Sequence, residues 1–155
     1  MRARLTAAGF LAASLALASA AQALPSRESP SGQEQAQASF REGVKLQEAK
    51  RYQESIDAYQ ASLREDPDQA EALSNLGFCY KALKRYQKAI GYYKDAIRLK
   101  PDLAEAHEYM GEAYLEMGKP KLAMQEYEAL RKLGSDEADE LKEKIDAAQA
   151  AATPQ

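Results

Sequence analysis

Residues 70–103 of this chain read AEALSNLGFCYKALKRYQKAIGYYKDAIRLKPDL, and the same skeleton recurs at a spacing of 34 residues on both sides. The coinciding positions hold glycine, alanine, tyrosine and proline. They are Gly43, Gly77 and Gly111; Ala38, Ala72 and Ala106; Tyr59, Tyr93 and Tyr127; Tyr80 and Tyr114; Tyr52 and Tyr86; and Pro67 and Pro101. A fixed period with this many coincident positions is typical of a repeat solenoid.

The composition suits one small helical domain. Of 155 residues, 45% are hydrophobic and 29% charged, which is ordinary for a soluble fold. The 8 glycines and 6 prolines are few, and several stand at repeated places, which favours long helices over strands. We therefore predict an all-α fold without a sheet.

The N-terminus has the pattern of an export signal. Arg2 and Arg4 form a basic start, Leu5–Leu17 is an uncharged and mostly apolar run, and two small-residue triplets, ASA and AQA, follow. We predict a secretory signal peptide over residues 1–23, cleaved after Ala23. The alternative is an uncleaved anchor, but the run is shorter than about 18 strongly apolar residues and is largely alanine.

Charge and cysteine content narrow the functional classes. Cleavage would remove two arginines and no acid, so the formal charge would move from -3 to -5. Such a balance argues against nucleic-acid binding, which needs a basic footprint. Cys79 is the only cysteine, so no internal disulfide can form. We expect an exported protein without a stable membrane anchor after cleavage, periplasmic in a bacterium, or secreted as the alternative.

The remaining chain divides at the repeat boundaries. We predict a disordered lead-in at residues 24–35, repeats at 36–69, 70–103 and 104–137, a C-terminal capping helix at 138–150 that starts near 136, and a tail at 151–155. The lead-in, LPSRESPSGQEQ, mixes Pro, Ser, Gly and Gln without an apolar period. The capping helix has a narrow apolar stripe and a polar outer side, as the end of a solenoid requires.

Within the repeats, turn residues predict the helix ends. A second helix over Gln53–Asp66 should stop before Pro67, because the residue before proline disfavours the helical region. Gly118 can take the left-handed conformation that ends a helix, and Pro120 suits the first turn of the next. Gly77 is small where the two helices of a pair must approach closely.

The second repeat resembles the tetratricopeptide repeat. The matching residues are Leu73, in the position usually held by tryptophan, Leu76, Gly77, Tyr80, Tyr86, Ala89, Tyr93, Ala96 and Pro101. The first and third copies depart more, with His107 at the tryptophan position of the third. The resemblance implies a right-handed superhelical solenoid of antiparallel helix pairs. It also implies that the first helices line a concave groove for a peptide or a partner's helix.

The resemblance also places the groove residues. The predicted partner-binding groove consists of Phe40, Val44, Ser74, Asn75, Phe78, Lys81, Glu105, Glu108 and Glu112. Cochaperone members of the family hold a partner's terminal carboxylate with asparagines and basic residues. Only Asn75 matches that clamp, so binding of chaperone tails is disfavoured. Phe40 has an alternative role, packing under the lead-in, and Phe78 is a candidate contact residue.

The first helix of the third repeat is acidic. Glu105, Glu108, Glu112 and Glu116 share one face at spacings of three and four, with no lysine or arginine between residues 104 and 117. Like charges at these spacings cost about 0.2 to 0.5 kcal/mol per pair. Two interpretations stay open: a solvated face that tolerates the cost, or an acidic wall that receives basic residues of a partner.

Two functions follow as hypotheses. The first is a non-catalytic adaptor in the cell envelope that binds a basic or amphipathic segment of a protein partner. The second is a self-associating structural subunit, because the second repeat has seven Lys and Arg against three acids while the third has four against eight.

Catalysis is not expected. Cys79 and His107 are single residues at unrelated repeat positions, so we predict no catalytic site, metal site or cofactor.

Overall fold

A computed structural model describes residues 30–152, and all regular structure within that range is helical. The seven helices are α1 (Gly32–Glu48), α2 (Tyr52–Glu65), α3 (Ala70–Ala82), α4 (Tyr86–Leu99), α5 (Ala104–Glu116), α6 (Pro120–Leu133) and α7 (Glu137–Ala152). The predicted signal peptide at residues 1–23 lies outside the described residues, as do the first half of the predicted lead-in and the last three residues of the tail. No helix in the described range is long and apolar enough to cross a membrane.

The helices form two layers. Helices α1, α3 and α5 each pack most extensively on the helix that follows, across a short turn. The odd-numbered helices also contact each other in series, α1 with α3, α3 with α5, and α5 with α7. This arrangement confirms the predicted all-α solenoid of helix pairs. The face formed by α1, α3 and α5 is called the groove face below.

Close approach within the pairs depends on glycine. A Cβ at Gly77 would lie 2.6 Å from the ring of Tyr93, and one at Gly43 would lie 2.6 Å from the ring of Tyr59. Both rings are fully buried. The predicted tight contact at Gly77 is confirmed, and Tyr93 provides it. In the third repeat, Gly111 instead meets the side chain of Leu141 on α7, so the capping helix completes this part of the core.

The turns between paired helices share one conformation. Lys50, Lys84 and Gly118 occupy the same repeat position and have positive φ angles of 59°, 59° and 69°. Gly134 ends α6 in the left-handed region, and Pro120 begins that helix. The predictions for Gly118 and Pro120 are therefore confirmed. The two lysines adopt a backbone conformation that side chains with a Cβ disfavour.

The predicted lead-in is too long. Helix α1 begins at Gly32, so residues 32–35 are helical rather than disordered. A capping box accounts for the early start, because the Glu34 N–H donates to the Ser31 hydroxyl and the Ser31 N–H donates to the Glu34 carboxylate. At the other end, α7 continues to Ala152, two residues past its predicted end. The alanines there have the highest helix propensity.

Candidate functional site

A cleft of about 250 Å³ opens on the groove face between the three first helices. Its lining comes from α1, α3 and α5 and from the residue before α5. The lining residues are Phe40, Glu71, Ser74, Asn75, Leu103, Glu105 and Tyr109. Four of the predicted groove residues therefore meet in one place. This set of residues is called the cleft below.

Ser74 has a hydroxyl group without a partner. The residue is 4% exposed, and its Oγ forms no hydrogen bond to any residue in the described range. Leaving a buried hydroxyl unsatisfied costs about 1–3 kcal/mol. Asn75, the next residue on α3, is half-buried. The α3 wall of the cleft thus combines an unsatisfied hydroxyl with an amide.

The two acids of the cleft differ in their pairing. The Lys100 ammonium lies 2.8 Å from a Glu71 carboxylate oxygen, and this hydrogen bond holds the pKa of Glu71 below its ordinary value. Glu105 is exposed and takes part in none of the ion pairs found between residues 30 and 152. Glu105 is therefore the cleft acid that forms no ion pair within this range.

The other acids of the α5 face are paired within the chain. Glu112 accepts hydrogen bonds from both Lys81 and Lys144, and the Lys144 ammonium also lies 3.1 Å from Glu108. These four residues are called the lysine–glutamate network below. It joins α3, α5 and α7, and only 8% of Glu108 is exposed. Neither sequence interpretation describes this arrangement, because α7 packs along the acidic face and supplies Lys144.

The network shifts the pKa values of its two acids in opposite directions. Burial raises the pKa of Glu108, against the opposing effect of Lys144. For Glu112, burial also acts to raise the pKa, but hydrogen bonds from Lys144 and Lys81 outweigh it and the pKa is lowered. The most strongly held charge of the network is thus Glu112, which contacts two lysines.

The fourth acid of this face also has an internal partner. The Tyr86 hydroxyl donates to Glu116 at 2.8 Å, and this bond raises the pKa of Tyr86. Three of the four glutamates on α5 are therefore engaged with other helices. Of the four, Glu105 alone lines the cleft.

The remaining predicted groove residues pack within the molecule. Phe78 lies between two tyrosines, with ring centroids 6.3 Å from Tyr52 and 5.3 Å from Tyr109. The Lys81 ammonium stands 5.5 Å from the Phe78 ring centroid, within the range of a cation–π contact. Val44 is half-buried against the core and does not line the cleft.

A difference at one repeat position explains why the Tyr93 hydroxyl has no hydrogen-bond partner among the described residues. In the first repeat, the buried Tyr59 donates its hydroxyl to the Gln47 side-chain oxygen at 2.9 Å. Lys81 stands at the position of Gln47 in the second repeat, and its ammonium is directed to Glu112. A lysine cannot accept a hydrogen bond. The hydroxyl of the buried Tyr93 consequently has no partner in the described structure.

Cys79 and His107 have structural contacts. Cys79 is fully buried, its Sγ lies 3.4 Å from the Ser55 hydroxyl, and burial raises the pKa of its thiol. The His107 ring has two polar contacts, because its Nδ1 lies 2.8 Å from Glu126 and its Nε2 lies 3.2 Å from the Pro101 carbonyl. Within residues 30–152, no group of three His, Cys, Asp or Glu side chains could hold a metal ion.

Comparison with known proteins identifies the repeats. Family models described as tetratricopeptide repeat match residues 70–103 and 105–133, and the first match has the bounds of the predicted second repeat. A search of curated proteins finds no match.

Solved tetratricopeptide-repeat structures have the same fold. The first such domain of Spaghetti (RPAP3), bound to the HSP90 peptide SRMEEVD, is 26% identical and has a TM-score of 0.69. The match covers 76% of this chain and 95% of that one. The Sgt2 domain from Aspergillus fumigatus is also 26% identical, over 77% of this chain and 85% of that one, with a TM-score of 0.66. The TPR2B domain of yeast Sti1, in a pHsp70 complex, is 19% identical over 76% of this chain and 98% of that one, with a TM-score of 0.71.

Proposed function

Because this chain is a tetratricopeptide-repeat protein, we propose that it is a non-catalytic adaptor that binds a segment of a partner protein in the cleft on its groove face. The observation that carries the proposal is the cleft itself. Side chains from three successive first helices meet there around the Ser74 hydroxyl and the Glu105 carboxylate, which form no hydrogen bond and no ion pair, respectively, with the described residues. The similar domain of Spaghetti is bound to a peptide, which supports a peptide as the ligand class.

The charge of the cleft distinguishes its ligand from that peptide. SRMEEVD has three acidic residues and one arginine. The cleft of this chain contains Glu71 and Glu105, which would repel an acidic tail. The proposed ligand is therefore a basic or amphipathic segment. Its apolar residues would contact Phe40 and Tyr109.

The proposed site of action is the cell envelope. This part of the proposal rests on the signal-peptide pattern of residues 1–23, with its basic start, apolar run and small-residue triplets. Fractionation of the native host provides the test. Recovery of the processed chain in the periplasm is expected, whereas an unprocessed chain in the cytosol would contradict this part of the proposal.

Self-association through oppositely charged repeats is the alternative. The structure leaves less charge for it than the sequence suggests, because Lys81 is paired with Glu112 and Lys144 with two acids of the third repeat. Sedimentation at tens of micromolar separates the two functions. A monomer at low and high salt agrees with an adaptor, whereas salt-sensitive oligomers would favour self-assembly.

Site-specific photocrosslinking tests the adaptor function. Benzoylphenylalanine at position 40 keeps an aromatic group in the cleft, and the same group at position 94 provides an exposed control on α4. After irradiation in an envelope fraction, mass spectrometry would identify the attached segment, and a synthetic copy of that segment would be tested for binding to the purified chain. We expect an adduct from position 40 alone and binding of the synthetic segment. Equal adducts from both positions, or a segment that does not bind, would contradict the cleft as the binding site.

A further inference from the structure

We propose that the cleft seats one arginine side chain of the bound segment, with its guanidinium on Glu105 and Ser74. This inference rests on the proposed function, because it names the residue type that the cleft recognises. It is carried by two independent features of residues 30–152, an acid that forms no ion pair there and a buried hydroxyl that forms no hydrogen bond there. Both belong to the lining of the same cleft.

The polar lining matches a donor-rich group. Glu105 presents carboxylate oxygens, the Asn75 amide presents one oxygen, and the Ser74 hydroxyl can accept. Glu71 is less available, since it already accepts from Lys100 at 2.8 Å. A guanidinium has five N–H donors in a planar fork and no acceptor, so it can bond several of these groups at once.

The apolar lining suits the rest of an arginine side chain. Phe40 and Tyr109 provide aromatic rings, and the nearly buried Leu103 adds an aliphatic wall. A guanidinium plane stacks on aromatic faces, and the methylene stem packs along apolar surface while the charged end reaches polar groups. The ammonium of lysine is compact and strongly hydrated, so it interacts with the aromatic rings less favourably than a guanidinium does.

The size of the cleft agrees with a single side chain. Its volume of about 250 Å³ is below the range of roughly 300–1,000 Å³ that is usual for small-molecule sites. The cleft is also open to the groove face, where the backbone of a bound segment would lie. The ligand is thus one residue of a longer chain rather than a free metabolite.

A minimal probe tests this assignment on the full chain. N-acetyl-arginine methylamide would be titrated into ¹⁵N-labelled protein, and the amide shifts of Ser74, Asn75 and Glu105 would be followed. We expect saturating shifts with the arginine probe. The neutral citrulline analogue should bind about tenfold more weakly, because a hydrogen bond to a charged group is lost. The lysine analogue should bind severalfold more weakly. Equal binding of citrulline would overturn a charge-recognising cleft, and equal binding of lysine would overturn the choice of arginine.

Variants locate the contact. Glu105→Gln should weaken binding of the arginine probe about tenfold, whereas Glu143→Gln, an exposed acid on α7, should leave it unchanged. Ser74→Ala should weaken binding about threefold and yet raise the melting temperature of the free chain, because it removes an unsatisfied hydroxyl. A purely structural Ser74 would lower the melting temperature instead. Binding unchanged by Glu105→Gln would overturn the inference.

The two proposals can fail separately. If position 40 crosslinks a partner segment but the arginine probe causes no shifts, the cleft binds a segment without recognising arginine. If the probe binds and no segment is captured or bound, the arginine site stands and the adaptor function fails. The arginine inference is supported in full when the captured segment contains an arginine whose replacement by citrulline weakens binding.

Discussion

Replacing Lys144 by glutamine should destabilise the fold far more than the same change two residues earlier. Lys144 reaches from α7 to Glu108 and Glu112 on α5, so its loss leaves two acids on one helix face with a single lysine. Among the described residues, the ion pair of Lys142 is with Asp146, four residues along the same helix. The two substitutions are chemically identical and lie on the same helix, which makes Lys142→Gln the matched control.

The magnitude follows from the exposure of the side chains. Removing one partner of a fully buried pair costs about 3–5 kcal/mol, whereas exposed pairs contribute about 0.2–1 kcal/mol. The Lys144 side chain is 42% exposed, but those of Glu108 and Glu112 are only 11% and 20% exposed. Water therefore screens the lysine more than the acids, and Glu112 keeps Lys81. We expect Lys144→Gln to lower the free energy of unfolding by about 1–2 kcal/mol, between these limits.

Urea unfolding at pH 7, followed by circular dichroism, measures both variants. Lys142→Gln should cost much less than Lys144→Gln, because exposed helix pairs contribute little, and its effect should vanish near 1 M salt, where the Debye length is about 3 Å. Most of the Lys144→Gln effect should persist in the same salt. Equal losses for the two variants, or the same salt dependence, would refute the network as the element that holds α7 on α5.

Three further changes test other parts of the structure. Tyr93→Phe should raise the free energy of unfolding by roughly 0.5–1 kcal/mol, and Tyr59→Phe should lower it by about 1 kcal/mol. Of these two buried hydroxyls, only that of Tyr59 has an acceptor among the described residues. Lys84→Gly should raise the melting temperature, since the left-handed strain of about 1–2 kcal/mol exceeds the entropic cost of glycine, about 0.5–1 kcal/mol. The hydrogen bond to Glu126 raises the pKa of His107 from its ordinary 6.5, so its stabilisation should be complete below pH 6.5 and should be lost as the pH rises through the folded-state pKa.

Each of these predictions has a definite contrary result. A loss of stability in Tyr93→Phe equal to that in Tyr59→Phe would mean that both hydroxyls are bonded. Thermal melts of Gly118→Ala, at the repeat position of Lys84, should move in the opposite direction, and a rise there would contradict the strain argument. Proton NMR of the single histidine gives its pKa directly, and Glu126→Gln should return that pKa toward 6.5. An unchanged value would contradict the pairing.

The repeat period carried most of the information about the fold. The second helix of the first repeat was predicted over Gln53–Asp66 and is observed over Tyr52–Glu65, because Pro67 limits its end. The start of α1 was missed although its signal is local: serine followed three residues later by glutamate, at Ser31 and Glu34. This error arose from the Pro-, Ser- and Gln-rich composition of the lead-in.

The site was less accessible to sequence reasoning. Helical spacing correctly placed Glu108 and Glu112 on one face of α5, but it does not determine which helix packs against that face. Lys144 lies more than 30 residues further along the chain, and its contact depends on the rotation of α7. The unpaired hydroxyl of Ser74 likewise depends on burial by neighbouring helices. Of the three glutamates predicted for the groove, only the exposed Glu105 lines the cleft.

The affinity of the captured partner segment for two charge-reversed variants tests the central claim most directly. Glu105→Lys reverses a charge inside the cleft, and Glu143→Lys reverses one on α7 outside it. Measured by fluorescence anisotropy at one salt concentration, the first variant should bind the segment at least about tenfold more weakly than the unmodified chain, a difference of about 1.4 kcal/mol. The second variant should bind it as the unmodified chain does. Equal affinities of all three proteins would contradict the cleft as the site of partner recognition.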